Sequence, residues 1–275
     1  MISPVILPRR DAEPTKARDY LSFSAMNLYR SCPLRYKFRY LDGLPEEAVS
    51  SSLVFGSAVH ASVELHFNRL LAGEPLPSIE EMLTVYHDAW RDQLEVGQVQ
   101  FGKDDDVSSL SKLAGRMLEA FRSSPAAQPA GHVIGVEEEL RGAIIPGVPD
   151  LLGRIDLITE TDEAVVITDL KTSRSRWSRD QAEDSAEQLL LYSELVKHLV
   201  PGKQMRLRFL ILTNTKEPVV GVHELPVEQQ RVDRTKRVVE RVWRSIEAGS
   251  FYPAPSPMQC PSCPYREPCR NWQGA

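Results

Sequence analysis

Four cysteines constrain this chain more than any other feature, because three cluster at one end and the fourth lies near the other. Cys32 is close to the start, and Cys260, Cys263 and Cys269 have the spacing C-x2-C-x5-C in a Pro-rich end segment. More than 200 residues separate Cys32 from Cys260. If all four hold one metal centre, the fold must bring both ends together, and closing so long a loop stabilises the folded chain.

Composition and charge are ordinary for a globular protein. The 275 residues are 42% hydrophobic and 26% charged, enough for a sizeable core. The net charge of −5 excludes a globally basic nucleic-acid-binding surface, so any such surface must be local. The apolar stretches of the sequence are too short to predict a signal peptide or a membrane span of about 20 apolar residues. We therefore expect a cytoplasmic protein with reduced thiols, in which the cysteines are metal ligands rather than disulfides.

The order of predicted elements indicates an α/β fold with a mixed β-sheet flanked by helices. We expect a loose arm at residues 1–20 and one domain at 21–275. Within it lie a helical part at about 21–124, an α/β core at about 131–250 and a cysteine loop at about 252–275. Predicted helices are at 24–40 (with a bend or helix start at Cys32-Pro33), 55–71, 79–96, 107–122, 180–199 and 227–247, and predicted strands at 132–140, 152–159, 164–170, 205–213 and 219–225.

Two carboxylates and a lysine lie on neighbouring predicted strands. Asp156 is near the end of one, and Asp169 and Lys171 are near the end of the next, on one face because they are two residues apart. A hairpin of these strands brings the carboxylates together, and close carboxylates repel each other unless a cation neutralises them. Mg²⁺ or Mn²⁺ suits such oxygen ligands, and Lys171 would position or deprotonate water or stabilise charge on a phosphate. The alternative is that Asp156 satisfies turn amides and that an Asp-x-Lys sequence carries no function.

Three further side chains join this set by their order in the chain. His60 follows Gly56-Ser57-Ala58 at a predicted helix start, and an imidazole added to carboxylates favours Mn²⁺ somewhat. Gln188 and Tyr192 are four apart, on one helical face that could reach over the site. Taken singly, His60 is a packing or capping histidine, and the other two form an ordinary half-buried helix face.

The order of these motifs resembles the RecB-like branch of the PD-(D/E)xK nuclease superfamily. The matching segments are Gly56-Ser57-Ala58-Val59-His60, Gly153-Arg154-Ile155-Asp156, Asp169-Leu170-Lys171-Thr172 and Gln188-Leu189-Leu190-Leu191-Tyr192. The resemblance covers about residues 21–270. One departure is that Asp169 stands where many members have Glu.

This resemblance implies a restriction-endonuclease-like core and assigns roles to the matching residues. The metal ligands, for Mn²⁺ or Mg²⁺, would be His60, Asp156, Asp169 and the carbonyl of Leu170. Lys171 would be catalytic, and Gln188 and Tyr192 would shape the site and contact nucleic acid. One of Glu137, Glu138 and Glu139 could add a further acid, and the sequence leaves open which.

The cysteine pattern allows two kinds of metal centre. Four thiolates bind zinc or an iron–sulfur cluster, but zinc ribbons usually have two CxxC knuckles, and a 1+3 split is unusual for them. The split resembles the iron-staple nucleases of the RecB-like group, including AddB-type subunits and iron–sulfur CRISPR-associated nucleases. Cys32-Pro33-Leu34-Arg35-Tyr36 matches their Cys-Pro-x-x-aromatic segment. We therefore favour a structural 4Fe–4S cluster held by Cys32, Cys260, Cys263 and Cys269 over zinc.

Two segments are candidates for nucleic-acid contacts. Basic and aromatic residues alternate around Arg35 and Tyr36, a mixture that suits single strands, although the aromatics could equally be core. Arg174, Arg176 and Trp177 follow the Asp-x-Lys motif and could guide a phosphate backbone, as could Arg154 in the matched segment. The basic residues of 227–247 are mixed with acids and indicate a solvated surface.

The sequence as a whole predicts a metal-dependent deoxyribonuclease that hydrolyses phosphodiesters with metal-activated water. The resemblance implies an exonuclease on single-stranded or end-containing DNA, in repair or recombination, with a helicase partner encoded separately as one option. The rival interpretation is a catalytically inactive nucleic-acid-binding module, against which the intact His, Asp, Asp and Lys argue. A third is a zinc-stabilised interaction protein that serves as a helicase partner.

Overall fold

The computed structural model describes residues 19–46, 48–96, 98–103 and 105–274. The predicted arm at 1–20 therefore lies outside the described residues, except for its last two. The helices are α1 (Phe23–Ser31), α2 (Pro33–Tyr36), α3 (Ser51–Ala72), α4 (Ile79–Val96), α5 (Val107–Arg122), α6 (Arg179–Asp184), α7 (Glu187–Val196), α8 (Gln229–Glu247) and α9 (Arg266–Arg270). The strands are β1 (Tyr20–Ser22), β2 (Ala48–Ser50), β3 (Gln98–Gln100), β4 (His132–Gly142), β5 (Asp150–Glu160), β6 (Ala164–Ser173), β7 (Gln204–Thr213) and β8 (Val220–Pro226).

A six-stranded mixed sheet forms the centre of the fold. Strand β4 pairs antiparallel with β5 along its whole length, whereas β6 pairs with β5 only from Leu157 to Glu160. Strand β1 pairs parallel with the other end of β5. Strand β7 runs parallel to β6, and β8 completes the sheet antiparallel to β7. Strands β5 and β6 thus separate beyond Leu157 and Thr168, and this opening positions the site.

Helices cover both faces of the sheet, which confirms the predicted fold class. On one face, α7 and α8 pack against apolar residues such as Val165, Ile167 and Phe209. On the other, α3, α4 and α5 enclose a second apolar cluster that includes Leu157, Leu170 and Leu210. The sheet therefore lies between two helical layers. A separate two-stranded sheet of β2 and β3 lies beside α3.

Local capping explains where the helices begin, and it corrects two predictions. The bounds predicted for α4 and α5 are confirmed, and α5 begins after a capping box of Asp106 and Ser109. Helix α3 begins at Ser51 rather than at residue 55, because the Ser50 hydroxyl accepts the Leu53 N–H at 3.3 Å. His60 is therefore in the middle of this helix, not at its start.

The first predicted helix is interrupted at the predicted point. Cys32 is extended, with φ −162°, and Pro33 begins α2 because its ring fixes a helical φ and it needs no N–H partner there. A π-helical turn at Lys37–Leu41 follows. The helix predicted at 180–199 is instead divided into α6 and α7. Strands β1, β2 and β3, of three residues each, were not predicted. None of the described helices is both long and apolar enough to cross a membrane.

Candidate functional site

Where β5 and β6 separate, a backbone N–H of β6 no longer pairs with β5 and instead donates a hydrogen bond to a side chain. Leu157 and Thr168 form the last described pair between these strands, so Asp156 and Asp169 come directly after it. The Leu170 N–H donates to Asp156 Oδ2 at 2.7 Å. This bond links the two strands across the opening and fixes the Asp156 carboxylate beside the next strand.

Asp169 and Lys171 form an ion pair on β6. The Lys171 Nζ lies 3.0 Å from Asp169 Oδ1 and 2.8 Å from Oδ2. Their alternation in the strand puts both side chains on one face, as the spacing predicted. Asp169 is only 4% exposed, so its charge has few water neighbours and Lys171 is the cation that balances it.

A second group of ligand atoms gathers beside this pair. One ligand atom each from His60, Glu137 and Asp156 lie within 4.8 Å of one another, and His60 Nδ1 is 3.8 Å from Asp156 Oδ2. Glu137 is thus the member of the three consecutive glutamates that reaches the site. Its φ of 52° is in the left-handed region, rare for a residue with a Cβ and typical of functional strain. Asp169, a predicted ligand, is absent from this group among the described residues.

Burial and mutual repulsion shift the pKa values of these groups. Burial raises the pKa of Asp156, and the charge of Asp169 raises it further. Burial also raises the pKa of Asp169, against the opposing effect of Lys171, and that of Glu137, where Arg154 opposes it. Burial and the Lys171 charge lower the pKa of His60 to about 4. The imidazole is therefore neutral at pH 7, so that one of its ring nitrogens carries a lone pair.

These donors face an open cleft of about 490 Å³ between α3 and β6. Helix α3 comes close to the strand at Gly56, where a Cβ would lie 3.2 Å from Thr172 Oγ1. The cleft wall includes Ser52, Leu53, Gly56, Ser57, His60, Glu64, Glu137, Arg154, Asp156, Lys171 and Thr172. A larger cavity, about 580 Å³, lies at the β7–β8 end, where its charged residues Arg206 and Glu224 pair with each other at 3.8 Å. Cavity volume therefore does not identify the candidate site, which is identified by its group of possible metal ligands.

The sequence profile of the PD-(D/E)XK nuclease superfamily matches residues 20–270, almost the whole chain. The chain belongs to this superfamily. The fold agrees with that of a candidate exonuclease from Eubacterium rectale, with a TM-score of 0.62 at 15% identity over 99% of this chain and 95% of that one. The solved structure of SSO0001 has 13% identity and a TM-score of 0.34 over 80% of this chain and 84% of that one. No curated protein matches the sequence.

Nucleases of this superfamily use divalent metals, and the donors of this member fit such an ion. Two carboxylates and a neutral imidazole are the ligands that Mn²⁺ and Mg²⁺ accept. A cation among them would offset the repulsion that raises the carboxyl pKa values. The chemistry of the donor set is therefore consistent with the family.

Gln188 and Tyr192 lie on α7, which packs on the face of the sheet opposite to α3. The Tyr192 ring packs on β5 at Gly153, where a Cβ would come within 2.8 Å of the ring. Burial raises the pKa of Tyr192 to about 12, while hydrogen bonding to Gln188 and to the Arg154 backbone acts in the opposite direction. Neither side chain is in the cleft wall. Their position indicates that they support β5, and the predicted contact with nucleic acid stays a prediction.

The predicted nucleic-acid contacts fall into two groups. Arg154 is in the cleft wall and pairs with the Glu137 carboxylate, and Arg174 and Arg176 are exposed after β6. Trp177 is half-buried, with its ring 5.2 Å from Phe209 and its Nε1–H donating to Ser173 Oγ at 3.2 Å. It packs against the core and is not a free stacking platform.

The alternative interpretation of the N-terminal aromatics as core holds for Tyr36. This ring is 6% exposed and packs against Tyr29, Tyr40 and Phe251, and a contact of Tyr36 with nucleic acid stays a prediction. Tyr36 and Tyr40 are four residues apart, a spacing that favours mutual packing on a helical segment. Arg35 is half-buried, with its NH2 group 3.7 Å from Glu46.

The four cysteines share one corner of the molecule. Cys32, Cys263 and Cys269 pack on the buried side chains of Leu34, Phe38 and Tyr265. Burial raises the pKa of Cys269, and the thiols of Cys32, Cys263 and Cys260 raise it further, which shows that they lie near one another. We call this group of four thiols the cysteine corner.

Backbone hydrogen bonds hold the two chain ends together there. The Leu34 N–H donates to the Tyr252 carbonyl at 3.0 Å, and the Tyr265 hydroxyl donates to the Leu44 carbonyl at 3.1 Å. The Ser256 N–H donates to Cys260 Sγ at 3.3 Å. The fold thus brings residue 32 to the C-terminal segment, as the cysteine spacing required.

Proposed function

We propose that the protein is a metal-dependent deoxyribonuclease whose site is the cleft between α3 and β6. The observation that carries the proposal is the convergence of His60, Glu137 and Asp156 donors within 4.8 Å beside the Asp169–Lys171 pair. Carboxylates with raised pKa values next to a lysine are typical of functional sites. The membership in a nuclease superfamily gives the reaction class, phosphodiester hydrolysis.

The side chains divide the work of hydrolysis. His60, Glu137 and Asp156 would hold Mn²⁺ or Mg²⁺, with Asp169 and the Leu170 carbonyl as further ligands that the resemblance to RecB-like nucleases suggests. The bound ion would polarise the phosphate and lower the pKa of water. Lys171 would lie against the phosphate or the attacking water, with Asp169 fixing the position of its Nζ.

The substrate we propose is DNA with a single-stranded region or a free end, in repair or recombination. The exposed Arg174 and Arg176 follow β6 directly, and Arg154 is in the cleft wall. Guanidinium groups placed there pair with a phosphate backbone in spite of the net charge of −5. Exonuclease rather than endonuclease action is part of this proposal.

End-labelled single-stranded and duplex DNA, digested with Mn²⁺, tests the enzyme. We expect cleavage by the native protein and its loss in Lys171→Ala. The matched control is Lys216→Ala, an exposed lysine in the β7–β8 turn. Equal cleavage by the Lys171 variant would contradict the assigned site. No cleavage by folded native protein would leave a binding module or a subunit that requires a helicase partner.

We also propose that the cysteine corner holds a 4Fe–4S cluster. The support for the cluster is the distribution of the four cysteines, one near residue 32 and three at residues 260–269, because zinc ribbons usually have two CxxC knuckles. The Ser256 N–H donates a hydrogen bond to Cys260 Sγ, and hydrogen bonds to ligand sulfurs help to set the reduction potential of such clusters.

Elemental analysis of protein purified without oxygen tests the cluster. We expect a brown protein with about four iron atoms and four acid-labile sulfides per chain. The Cys32→Ser variant should lose the iron and the sulfide. One zinc per chain with no sulfide would show that the centre is a zinc site.

A further inference from the structure

Leu53 is the most exposed apolar side chain in the cleft wall, because the other two, Ala61 and Leu170, are partly and almost fully buried. It is 62% exposed and lies in the first turn of α3, seven residues before His60 on the same helix. With a rise of about 1.5 Å per residue, it is about 10 Å along the helix axis from that ligand. Its neighbours in the cleft wall include Ser52, Ser57 and Lys171.

The backbone around Leu53 is held in place on two sides. Its N–H donates to the Ser50 hydroxyl at 3.3 Å, which fixes the start of the helix. One turn later, Gly56 allows α3 to approach β6, and any larger residue there would meet Thr172 Oγ1 at 3.2 Å. Leu53 is therefore presented from a rigid element at a set distance from the donors.

The Leu53 side chain takes no part in the core that its own helix helps to form. Leu53 belongs to none of the apolar clusters of the described chain, whereas its helix contributes Val54, Phe55, Val59 and Val63 to the core. A phosphate gains nothing from an aliphatic side chain, since it needs charge or hydrogen bonds. The face of an unstacked nucleobase does gain, because apolar surface on both partners leaves water.

We propose that Leu53 contacts a nucleobase next to the scissile phosphate and thereby favours strands whose bases are unpaired. This inference rests on the proposed nuclease function and specifies how that site would select its substrate. The contact is independent of base identity, because every base offers an apolar face. It would act on binding of the strand and not on metal binding or on the chemical step.

Leu199 provides a matched control. It is also 62% exposed, but it lies after α7 and outside the cleft wall. Leu53→Ala and Leu199→Ala therefore remove the same atoms from equally exposed positions. Leu53→Met keeps the apolar surface and serves as the rescue variant.

The test combines these variants with single-stranded oligonucleotides that carry one abasic site, moved one nucleotide at a time past the cleavage position. For Leu53→Ala on the intact strand, we expect KM to rise roughly fivefold with kcat and Mn²⁺ affinity unchanged. For the native protein, we expect one abasic position to raise KM by a similar factor. That position should have no effect on the Leu53→Ala variant, because the contact is already lost.

Leu53→Met should restore most of the native KM, and Leu199→Ala should match the native protein. An unchanged KM in Leu53→Ala, or an abasic penalty of equal size in native and variant proteins, would overturn the inference while leaving the nuclease intact. Absence of cleavage by the native protein on every strand would instead overturn the proposed function, and this inference with it.

Discussion

The cleft and the cysteine corner are both groups of candidate metal ligands, but they are built in opposite ways. The cleft collects oxygen and nitrogen donors from α3, β4 and β5 at the centre of the sheet, where β5 and β6 separate. The corner collects sulfur donors from the two ends of the chain, on a small apolar base of Leu34, Phe38 and Tyr265. Hard donors in an open cleft suit a catalytic divalent ion, and soft donors joining chain ends suit a structural cluster.

This difference indicates that one metal centre would serve catalysis and the other stability, so their effects on activity and on unfolding should be separable. Loss of a donor in the cleft should remove activity and leave the fold, since the carboxylates there repel each other. Loss of a cysteine should weaken the fold, because the corner closes a loop of more than 200 residues.

The largest expected effect is on activity, from Asp156→Asn in the cleft. Loss of this ligand should lower kcat/KM on the order of a thousandfold. That factor corresponds to a loss of about 4 kcal/mol in transition-state stabilisation. The amide oxygen can still accept the Leu170 N–H, so the fold should be kept. Without metal, the Tm should equal or exceed that of the native protein. Asp162→Asn, exposed in the β5–β6 turn, is the control and should behave as native.

The next effect is on stability, from Cys32→Ser in the corner. Opening the long loop should cost about 3–5 kcal/mol, or roughly 10 °C in Tm. Iron should be lost, while Mn²⁺ titration should still show binding in the cleft. In the reciprocal experiment, Asp156→Asn should keep its iron. If Cys32→Ser also abolished Mn²⁺ binding in protein that remains folded, the two centres would not be independent.

A smaller effect is expected beneath the cleft, from Gly153→Ala. The new methyl group would lie 2.8 Å from the Tyr192 ring, and overpacking of this kind costs about 1–3 kcal/mol. The chemical denaturation midpoint should fall, and activity should fall with it as β5 shifts. Gly221→Ala is the control, since its Cβ would lie 3.8 Å from the Ile211 Cβ, an ordinary contact. Equal midpoints for both variants would mean that Tyr192 does not support β5.

The smallest effect is a pH dependence of the metal-free protein. The pKa of Asp156 is raised in the folded state, so the unfolded carboxyl ionises first as the pH increases. The folded state then binds more protons, and stability falls as the pH rises above the ordinary aspartate range. The Tm advantage of Asp156→Asn over the native protein should therefore grow from about pH 5 to pH 8 and vanish with saturating Mn²⁺. A constant difference across this range would contradict the raised pKa.

Local patterns in the sequence predicted most of the core. Periodicity and turn residues located the strands from residue 132 onward and the hairpin of β5 and β6, because those signals lie within each segment. The three-residue strands β1, β2 and β3 carry no such signal, since their pairing depends on distant partners. The start of α3 was misplaced because its cap, Ser50, is the first of three consecutive serines, any of which could cap the helix.

The sequence predicted only part of the geometry of the candidate site. The two-residue spacing predicted that Asp169 and Lys171 share a face, and they form an ion pair. Among three consecutive glutamates, only the left-handed φ of Glu137 selects the one that faces Asp156, and no sequence rule gives that angle. The burial of Tyr36 and Trp177 likewise depends on packing partners far away in the chain.

The most direct test of metal binding in the cleft is calorimetric titration of the protein with Mn²⁺, comparing Glu137→Gln with Glu139→Gln. These glutamates are two residues apart on β4, but only Glu137 joins His60 and Asp156, while Glu139 is exposed. We predict that Glu137→Gln lowers the affinity at least about tenfold and that Glu139→Gln leaves it unchanged. Equal affinities in both variants and the native protein would contradict the assignment of this cleft as the metal site.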